Sequence, residues 1–201
     1  MTLIVSGSSR GNSASIRVAS HIKAVLDGEC FDRECSILDL HKVKPNFDML
    51  AFENDQESSG KWGEALSSIV NANSLVFVVP EWHGAIPPAL MSFFHLCSSG
   101  QLAYKPALLV SVSSGHGGAY PITYMRSFTC KNTKIIYIPE HVIISNVQTF
   151  LSSLSASEVS GRMLEVNRRL KYSLDMLNAF EIAMNSFRRE FKLNPEFTYG
   201  M

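Results

Sequence analysis

Long apolar runs are missing from this sequence. Hydrophobic residues make up 46% of the 201 positions, but they occur in short stretches, and none approaches the roughly 18 residues that suggest a membrane-spanning helix. The first ten residues, MTLIVSGSSR, also lack the basic segment and the apolar core of a secretory signal. These absences predict a cytoplasmic protein that has no membrane partner.

Cysteine is scarce as well. The four cysteines, at positions 30, 35, 97 and 130, are too few and too scattered to form a disulfide framework. Cys30 and Cys35 lie close together in the sequence, but no second pair completes a zinc site. We therefore expect free thiols and no metal, as in a reducing compartment.

No excess of either charge is present. Lys and Arg together number 18, as do Asp and Glu, so the formal net charge is zero. This balance argues against a polyanionic partner, and we expect no binding to nucleic acid. The aromatic share of 10% is too high for a disordered chain, and the length predicts a single domain over residues 1–201.

Short apolar runs alternate with stretches of helical periodicity. The predicted strands are LIV (3–5), ECSILDL (34–40), SLVFVVP (74–80), ALLVSVS (107–113) and KIIYI (134–138). The predicted helices cover about 16–28, 62–70, 87–96 and 120–130, and a polar loop is expected at about 41–60. This alternation predicts an α/β fold, with a parallel sheet that carries helices on both faces.

The last forty residues predict one long amphipathic helix, over about 157–193. Ser155 and Glu158 have the spacing of a capping box, and apolar residues recur at helical spacing from Val159 to Phe191. The helix could cover the sheet, form a subunit contact, or do both. Because the apolar stripe exceeds the needs of one sheet face, we expect a homodimer or homotetramer.

The stretch SGSSRGNSAS (6–15) has two interpretations. Its core matches the G-x-S-x-G pattern of a serine hydrolase, with Ser9 as the nucleophile. However, that pattern normally follows a central strand late in the fold, whereas here it follows the first strand. A turn between a strand and a helix instead favours anion binding, because it directs backbone N–H groups and hydroxyls toward a phosphate. The donors in this second interpretation are Ser8, Arg10, Asn12, Ser13 and Ser15.

Three polar loops follow the first, third and fourth predicted strands. They are SGSSRGNSAS, PEWHGAIPP and SSGHGG. In a parallel sheet of strand order 2-1-3-4-5, these loops meet at the switch point, where such folds bind ligands. Together they predict one ligand crevice.

The three loops resemble those of the NADPH-dependent FMN reductase family, which includes flavodoxin-like quinone, azo-dye and chromate reductases. Residues 7–13 match the family pattern G-S-x-R-x-x-S, and residues 80–87 match P-E-Y-N-G-S-x-P. The loop at 113–118 is rich in serine and glycine, as in the family. The chain departs from the pattern at Trp82 (usually Tyr), at His83 (usually Asn) and at Pro121, where many members carry Arg.

This resemblance implies a flavodoxin-like fold with bound FMN, and NADPH or NADH as co-substrate. The flavin would carry the redox chemistry, and no catalytic side chain is required. Electrons would pass to a flavin, a quinone, an azo compound or a similar small-molecule acceptor. The implied cofactor-binding residues are Ser8, Arg10, Asn12, Ser13, Ser15, Pro80, Glu81, Trp82, His83, Gly84, Ser114, Gly115 and Gly117.

Two functions of other classes share these features. A flavodoxin-like electron carrier would bind FMN without turnover, although such carriers are usually strongly acidic and this chain is neutral. A non-catalytic flavin-binding protein would fit the departures at Trp82, His83 and Pro121. Oxidation of NADPH with an added quinone distinguishes the enzyme from both.

Overall fold

The computed structural model describes residues 1–28, 33–46, 56–97, 100–154, 161–192 and 194–197, with side chains from residue 60 onward in the third range. The described residues form a five-stranded sheet in the order β2-β1-β3-β4-β5, with every neighbouring pair parallel. The predicted fold class and strand order are therefore confirmed. The strands are β1 (Thr2–Ser6), β2 (Cys35–Asp39), β3 (Ser74–Pro80), β4 (Pro106–Val112) and β5 (Ile136–Ile144).

Helices connect the strands and cover both faces of the sheet. They are α1 (Ala14–Asp27), α2 (Leu40–Val43), α3 (Gln56–Asn71), α4 (Pro88–Leu96), α5 (Ala119–Phe128), α6 (Cys130–Thr133), α7 (Val147–Ser153) and α8 (Gly161–Glu190), followed by a 3-10 turn (Pro195–Phe197). Within the described ranges, no helix has both the length and the apolar character needed to span a membrane.

Alternate residues of each central strand enter two separate cores. On β3, Phe77 belongs to the core beneath α3, α4 and α5, whereas Val76 and Val78 belong to the core beneath α1, α7 and α8. All seven residues of β3 are buried. A strand covered on both faces needs apolar residues at every position, which explains why the run 74–80 predicted β3 with its observed bounds.

Several parts of the structure differ from the predicted elements. β5 continues to Ile144, well past the predicted end at 138, with an irregularity in register opposite Ala107 and Leu109 of β4. The helix α7 was not predicted. The polar loop expected at 41–60 contains all but the first residue of α2 and the start of α3, and its residues 47–55 lie outside the described ranges.

The long C-terminal helix is present, although its described part ends at Glu190, three residues before the predicted end. Leu170, Leu174 and Leu177 are buried against the sheet. Farther along, Phe187 and Phe191 stack on each other and contact the Tyr104 ring, with ring centroids 5.2 and 5.5 Å from it. The predicted capping box and Val159 lie outside the described residues.

A buried polar network joins α8 to the first residues of β1 and β3. The Glu181 carboxylate accepts a hydrogen bond from the Ser74 hydroxyl and lies 2.9 Å from the Arg33 guanidinium. The hydroxyls of Ser74 and Thr2 are 3.0 Å apart. Because Thr2 and Ser74 begin parallel strands, this network lies at the amino-terminal edge of the sheet.

Three of the four cysteines are described, and all three are free thiols. Cys35 and Cys97 are buried, whereas Cys130 is exposed. Burial raises the pKa of the Cys35 thiol to about 11, so this thiol stays protonated at neutral pH. Cys30 lies outside the described residues.

Candidate functional site

A cleft of about 400 Å³ opens at the carboxyl-terminal edge of the sheet. Its volume lies within the range of known small-molecule sites. The structure brings nine of the thirteen predicted site residues to its lining: Ser8, Arg10, Ser13, Ser15, Pro80, Glu81, Trp82, His83 and Ser114. Asn12, Gly84, Gly115 and Gly117 belong to the same loops but do not line the cleft. Ala14, Val112, Val147 and Gln148 complete the lining, and sequence reasoning missed them.

The first loop connects β1 to the amino terminus of α1. Ser13 caps this helix, and its hydroxyl accepts a hydrogen bond of 3.3 Å from the Ile16 N–H. Ser8 is buried, and its hydroxyl accepts a hydrogen bond from the Arg10 N–H. The Ser15 hydroxyl is buried and has no partner among the described residues. The loop therefore presents a helix amino terminus and an unused hydroxyl to the cleft, which together suit an anion.

A nucleophilic serine needs a base within hydrogen-bond reach of its hydroxyl. The nearby imidazole of His41 binds the Ser9 carbonyl oxygen, at 2.9 Å, through its Nδ1. Within the described ranges, no hydrogen bond joins an imidazole to the Ser9 hydroxyl. The local geometry therefore does not support the hydrolase interpretation.

The loop after β3 folds into a tight two-residue hairpin. Trp82 and Ala85 exchange backbone hydrogen bonds of 3.0 and 2.9 Å, and both intervening residues have positive φ, +51° at His83 and +72° at Gly84. Two positive φ values in a row are typical of a type I′ turn. Since the Trp82 N–H closes the turn, it is not available to a ligand.

The same loop leaves only part of its backbone free for a flavin. The resemblance implies that residues 81–84 bind the cofactor, but the Glu81 N–H donates to the Val112 carbonyl at 3.0 Å. With the Trp82 N–H also engaged, the His83 and Gly84 N–H groups remain without a partner among the described residues. The sequence could not indicate this difference, because it depends on the turn type.

Glu81 lies against the glycine-rich loop. A Cβ built on Gly117 would be 2.7 Å from the nearer Glu81 carboxylate oxygen, Oε2. That oxygen is buried and has no partner in the described part of the chain. The absence of a side chain at Gly117 therefore leaves room for the Glu81 carboxylate in its present rotamer.

The turn after β5 supports the glycine-rich loop. The Ser145 hydroxyl donates toward the carbonyl oxygens of Gly117, at 2.8 Å, and of His116, at 3.2 Å. The Asn146 N–H donates to the Gly115 carbonyl at 2.7 Å. Sequence reasoning missed both supporting residues because it ended β5 too early.

Arg10 connects two of the loops at the cleft. Its guanidinium carbon lies 4.4 Å from the centroid of the Trp82 ring, a distance typical of a cation–π contact. This contact joins the first loop to the hairpin and keeps a positive charge at the cleft. Trp82 therefore already has a partner from the opposite loop.

The residues of the cleft fit FMN. The first loop offers donors and a positive charge to a phosphate, and the hairpin offers the free N–H of His83, which lines the cleft, to the polar edge of a ring. The unpartnered oxygens of Ser15 and Glu81 are buried in the cleft wall, where a ligand with both acceptors and donors would satisfy them. Within the described ranges, no cluster of three or more His, Cys, Asp or Glu side chains is arranged to hold a metal.

The family model for NADPH-dependent FMN reductases matches residues 1–149, which is most of the chain. The chain belongs to this family. It is an NAD(P)H-dependent flavin oxidoreductase that uses FMN as its cofactor, so the resemblance seen in the three loops is confirmed. The match ends within α7, so α8 lies beyond it.

Solved structures of other oxidoreductases share the fold. An oxidoreductase from Corynebacterium diphtheriae is 14% identical, with a TM-score of 0.71, over 90% of this chain and 96% of that one. The NADH:FMN oxidoreductase EMOB is 18% identical, with a TM-score of 0.66, over 98% and 93% of the two chains. The flavoenzyme NAD(P)H:(acceptor) oxidoreductase FerB from Paracoccus denitrificans is 14% identical, with a TM-score of 0.63, over 92% and 97%.

Proposed function

We propose that the cleft at the carboxyl-terminal edge holds FMN, and that the enzyme reduces a small, flat acceptor such as a flavin, a quinone or an azo compound. The observation that carries this proposal is the convergence of the loops after β1, β3 and β4 on one cleft of about 400 Å³. When bound, the flavin would accept hydride from NAD(P)H and pass electrons on. The chain's own residues bind and orient the reactants.

The first loop would hold the phosphate. The amino terminus of α1 carries a partial positive charge and unpaired N–H groups, and the free Ser15 hydroxyl lies in its first turn. Arg10 adds a full charge and can bind phosphate oxygens in pairs through its planar guanidinium. These groups would favour FMN over riboflavin, which lacks the phosphate.

The hairpin and the glycine-rich loop would hold the ring. The His83 N–H group can donate to a ring acceptor, and the Ser114 hydroxyl can bond a polar ring edge. The Glu81 carboxylate can only accept while it is ionised, so it suits a ring N–H. Trp82 would border the ring and the space that NAD(P)H and the acceptor use.

Replacing Arg10 by Ala should weaken FMN binding by about 1.5–3 kcal/mol, the usual contribution of a hydrogen bond to a charged group. Riboflavin binding should change little, because the lost contact serves the phosphate. Quenching of flavin fluorescence during titration measures both dissociation constants. Arg168→Ala, which removes an exposed charge on α8, serves as the control. Equal affinities of the wild-type protein for FMN and riboflavin would contradict the phosphate site.

NAD(P)H and the acceptor should occupy the cleft in turn. The three loops are short and leave no segment to build separate pockets, so double-reciprocal plots at several acceptor concentrations should be parallel. Trp82→Ala should change the Michaelis constants of both substrates together, whereas Tyr172→Ala, an exposed aromatic change on α8, should change neither. Intersecting plots would indicate two pockets and would contradict a shared space.

A homodimer or a homotetramer built from dimers is also proposed. Support comes from large apolar side chains that α8 leaves exposed, including Leu164, Tyr172 and Ile182 at 42%, 55% and 66% exposure. Light scattering at micromolar concentration gives the mass, and Ile182→Asp should shift it toward the monomer. We also propose a cytoplasmic location for the protein. The three free thiols support this location, because thiols stay reduced in the cytosol.

A further inference from the structure

His41 contacts the first loop although it lies 32 residues away in the sequence. Its Nδ1 is 2.9 Å from the Ser9 carbonyl oxygen. A carbonyl can only accept a hydrogen bond, so Nδ1 carries the proton. The same imidazole covers Gly11: a Cβ built on Gly11 would lie 3.0 Å from its Nε2 and 3.4 Å from its Cε1.

His41 is itself held in a fixed position. It lies in the first turn of α2, where the Asp39 carboxylate accepts a hydrogen bond of 3.1 Å from the His41 N–H. Leu40 and Val43 of the same short helix are buried in the core. The imidazole therefore reaches the loop from an anchored element.

The loop needs such support, because few other contacts fix it. Ser9, Arg10, Gly11 and Asn12 are all exposed, and Asn12 has a positive φ of +49°. Within the described ranges, their other polar contacts are the hydrogen bond from the Arg10 N–H to Ser8 and the stacking of Arg10 on Trp82. Both partners are themselves in the cleft lining, whereas His41 is outside it.

We propose that His41 is a positioning residue for the phosphate loop. By holding the Ser9 carbonyl and covering Gly11, it keeps the Ser8–Asn12 turn in the conformation that aims its donors at a phosphate. This inference rests on the proposed FMN site. His41 acts through the loop and does not contact the cofactor.

Two substitutions separate the functions of the imidazole. His41→Phe keeps an aromatic ring over Gly11 but has no N–H donor, whereas His41→Gln keeps a donor on a side chain of similar reach. We expect His41→Phe to weaken FMN binding about tenfold, as the loss of one hydrogen bond would, without changing riboflavin binding. His41→Gln should recover most of the lost affinity. Dissociation constants come from flavin fluorescence quenching with the full-length protein.

The outcomes separate this inference from the proposed function. If wild-type protein prefers FMN and His41→Phe keeps that preference, the positioning role is wrong while the phosphate site stands. If His41→Phe weakens FMN and riboflavin equally, its effect is general and the role is also wrong. If wild-type protein binds both flavins equally, the phosphate site and the inference fall together.

A second pair of variants tests the same contact without relying on His41→Phe. Gly11→Ala places a methyl group against the imidazole and should weaken FMN binding by shifting the loop. In a His41→Ala background that methyl group has room, so adding Gly11→Ala should cost little further affinity. Equal losses from Gly11→Ala in both backgrounds would show that the imidazole does not hold the loop.

Discussion

Replacing Glu181 by Ala is expected to lower the free energy of unfolding by about 3 kcal/mol, near the lower end of the range for removing one partner of a buried ion pair. Glu181 is 6% exposed, and its carboxylate pairs with Arg33 and accepts from Ser74. Its removal leaves the Arg33 guanidinium without its partner. Because 17% of the Arg33 side chain is exposed, water can offset part of the loss.

Urea unfolding with linear extrapolation measures this change. Asp175→Ala removes an exposed carboxylate from the same helix and should leave stability nearly unchanged. Glu181→Gln keeps an acceptor for Ser74 without the charge, so its effect should be intermediate. FMN affinity should be the same in all three variants, because the network and the cleft lie at opposite edges of the sheet. A Glu181→Ala protein as stable as Asp175→Ala would contradict the assigned role of the network.

Gly118→Ala should lower the free energy of unfolding by an amount comparable to Glu181→Ala. Unlike Glu181, Gly118 lies in a loop that borders the cleft. Gly118 has φ +118° where α5 begins, a conformation that costs a residue with a side chain about 1–3 kcal/mol. The new Cβ would also lie 2.6 Å from Ile143 Cγ2 and 3.3 Å from Ser111 Oγ, and overpacking of this kind costs about 1–3 kcal/mol more. We expect a marked loss of stability together with weaker FMN binding, because the displaced loop carries Ser114.

Gly115→Ala is the matched control for this change. It lies in the same loop, and a Cβ there would meet no atom within 4 Å. Adding Ile143→Ala to Gly118→Ala removes the closest clash, so the two changes together should cost less than the sum of their separate effects. Thermal and urea unfolding measure stability, and flavin titration measures binding. Equal effects of the two alanine substitutions would mean that Gly118 is not specially required.

The sequence predicted the elements whose residues are apolar throughout, and it failed where an element is short or mixed. β3 was predicted with its observed bounds because burial on both faces requires the run SLVFVVP. β5 was predicted too short because Pro139, Glu140 and His141 interrupt its apolar pattern, although the strand continues through an irregular register. The seven-residue α7 is too short for a helical period to stand out.

The sequence predicted which loops form the site, but not which individual hydrogen-bond donors in those loops are free to bind a ligand. Parallel strands bring their carboxyl ends to one edge, so three polar loops could be combined into one cleft without a structure. The hairpin at 82–85 determines which N–H groups remain free. The Glu81 rotamer determines why a residue without a side chain stands at position 117. The contact of His41 with Ser9 depends on the pairing of β1 with β2, so no local sequence pattern predicts it.

The two tryptophans differ in a way that gives the protein an optical probe of its own. Trp62 is packed in the core against Phe93, whereas Trp82 stands at the cleft beneath Arg10. Trp62 emission therefore reports the integrity of the core, while Trp82 emission reports what occupies the cleft. A Trp62→Phe protein would isolate the second signal, so that rapid-mixing fluorescence could follow ligand arrival without an added dye.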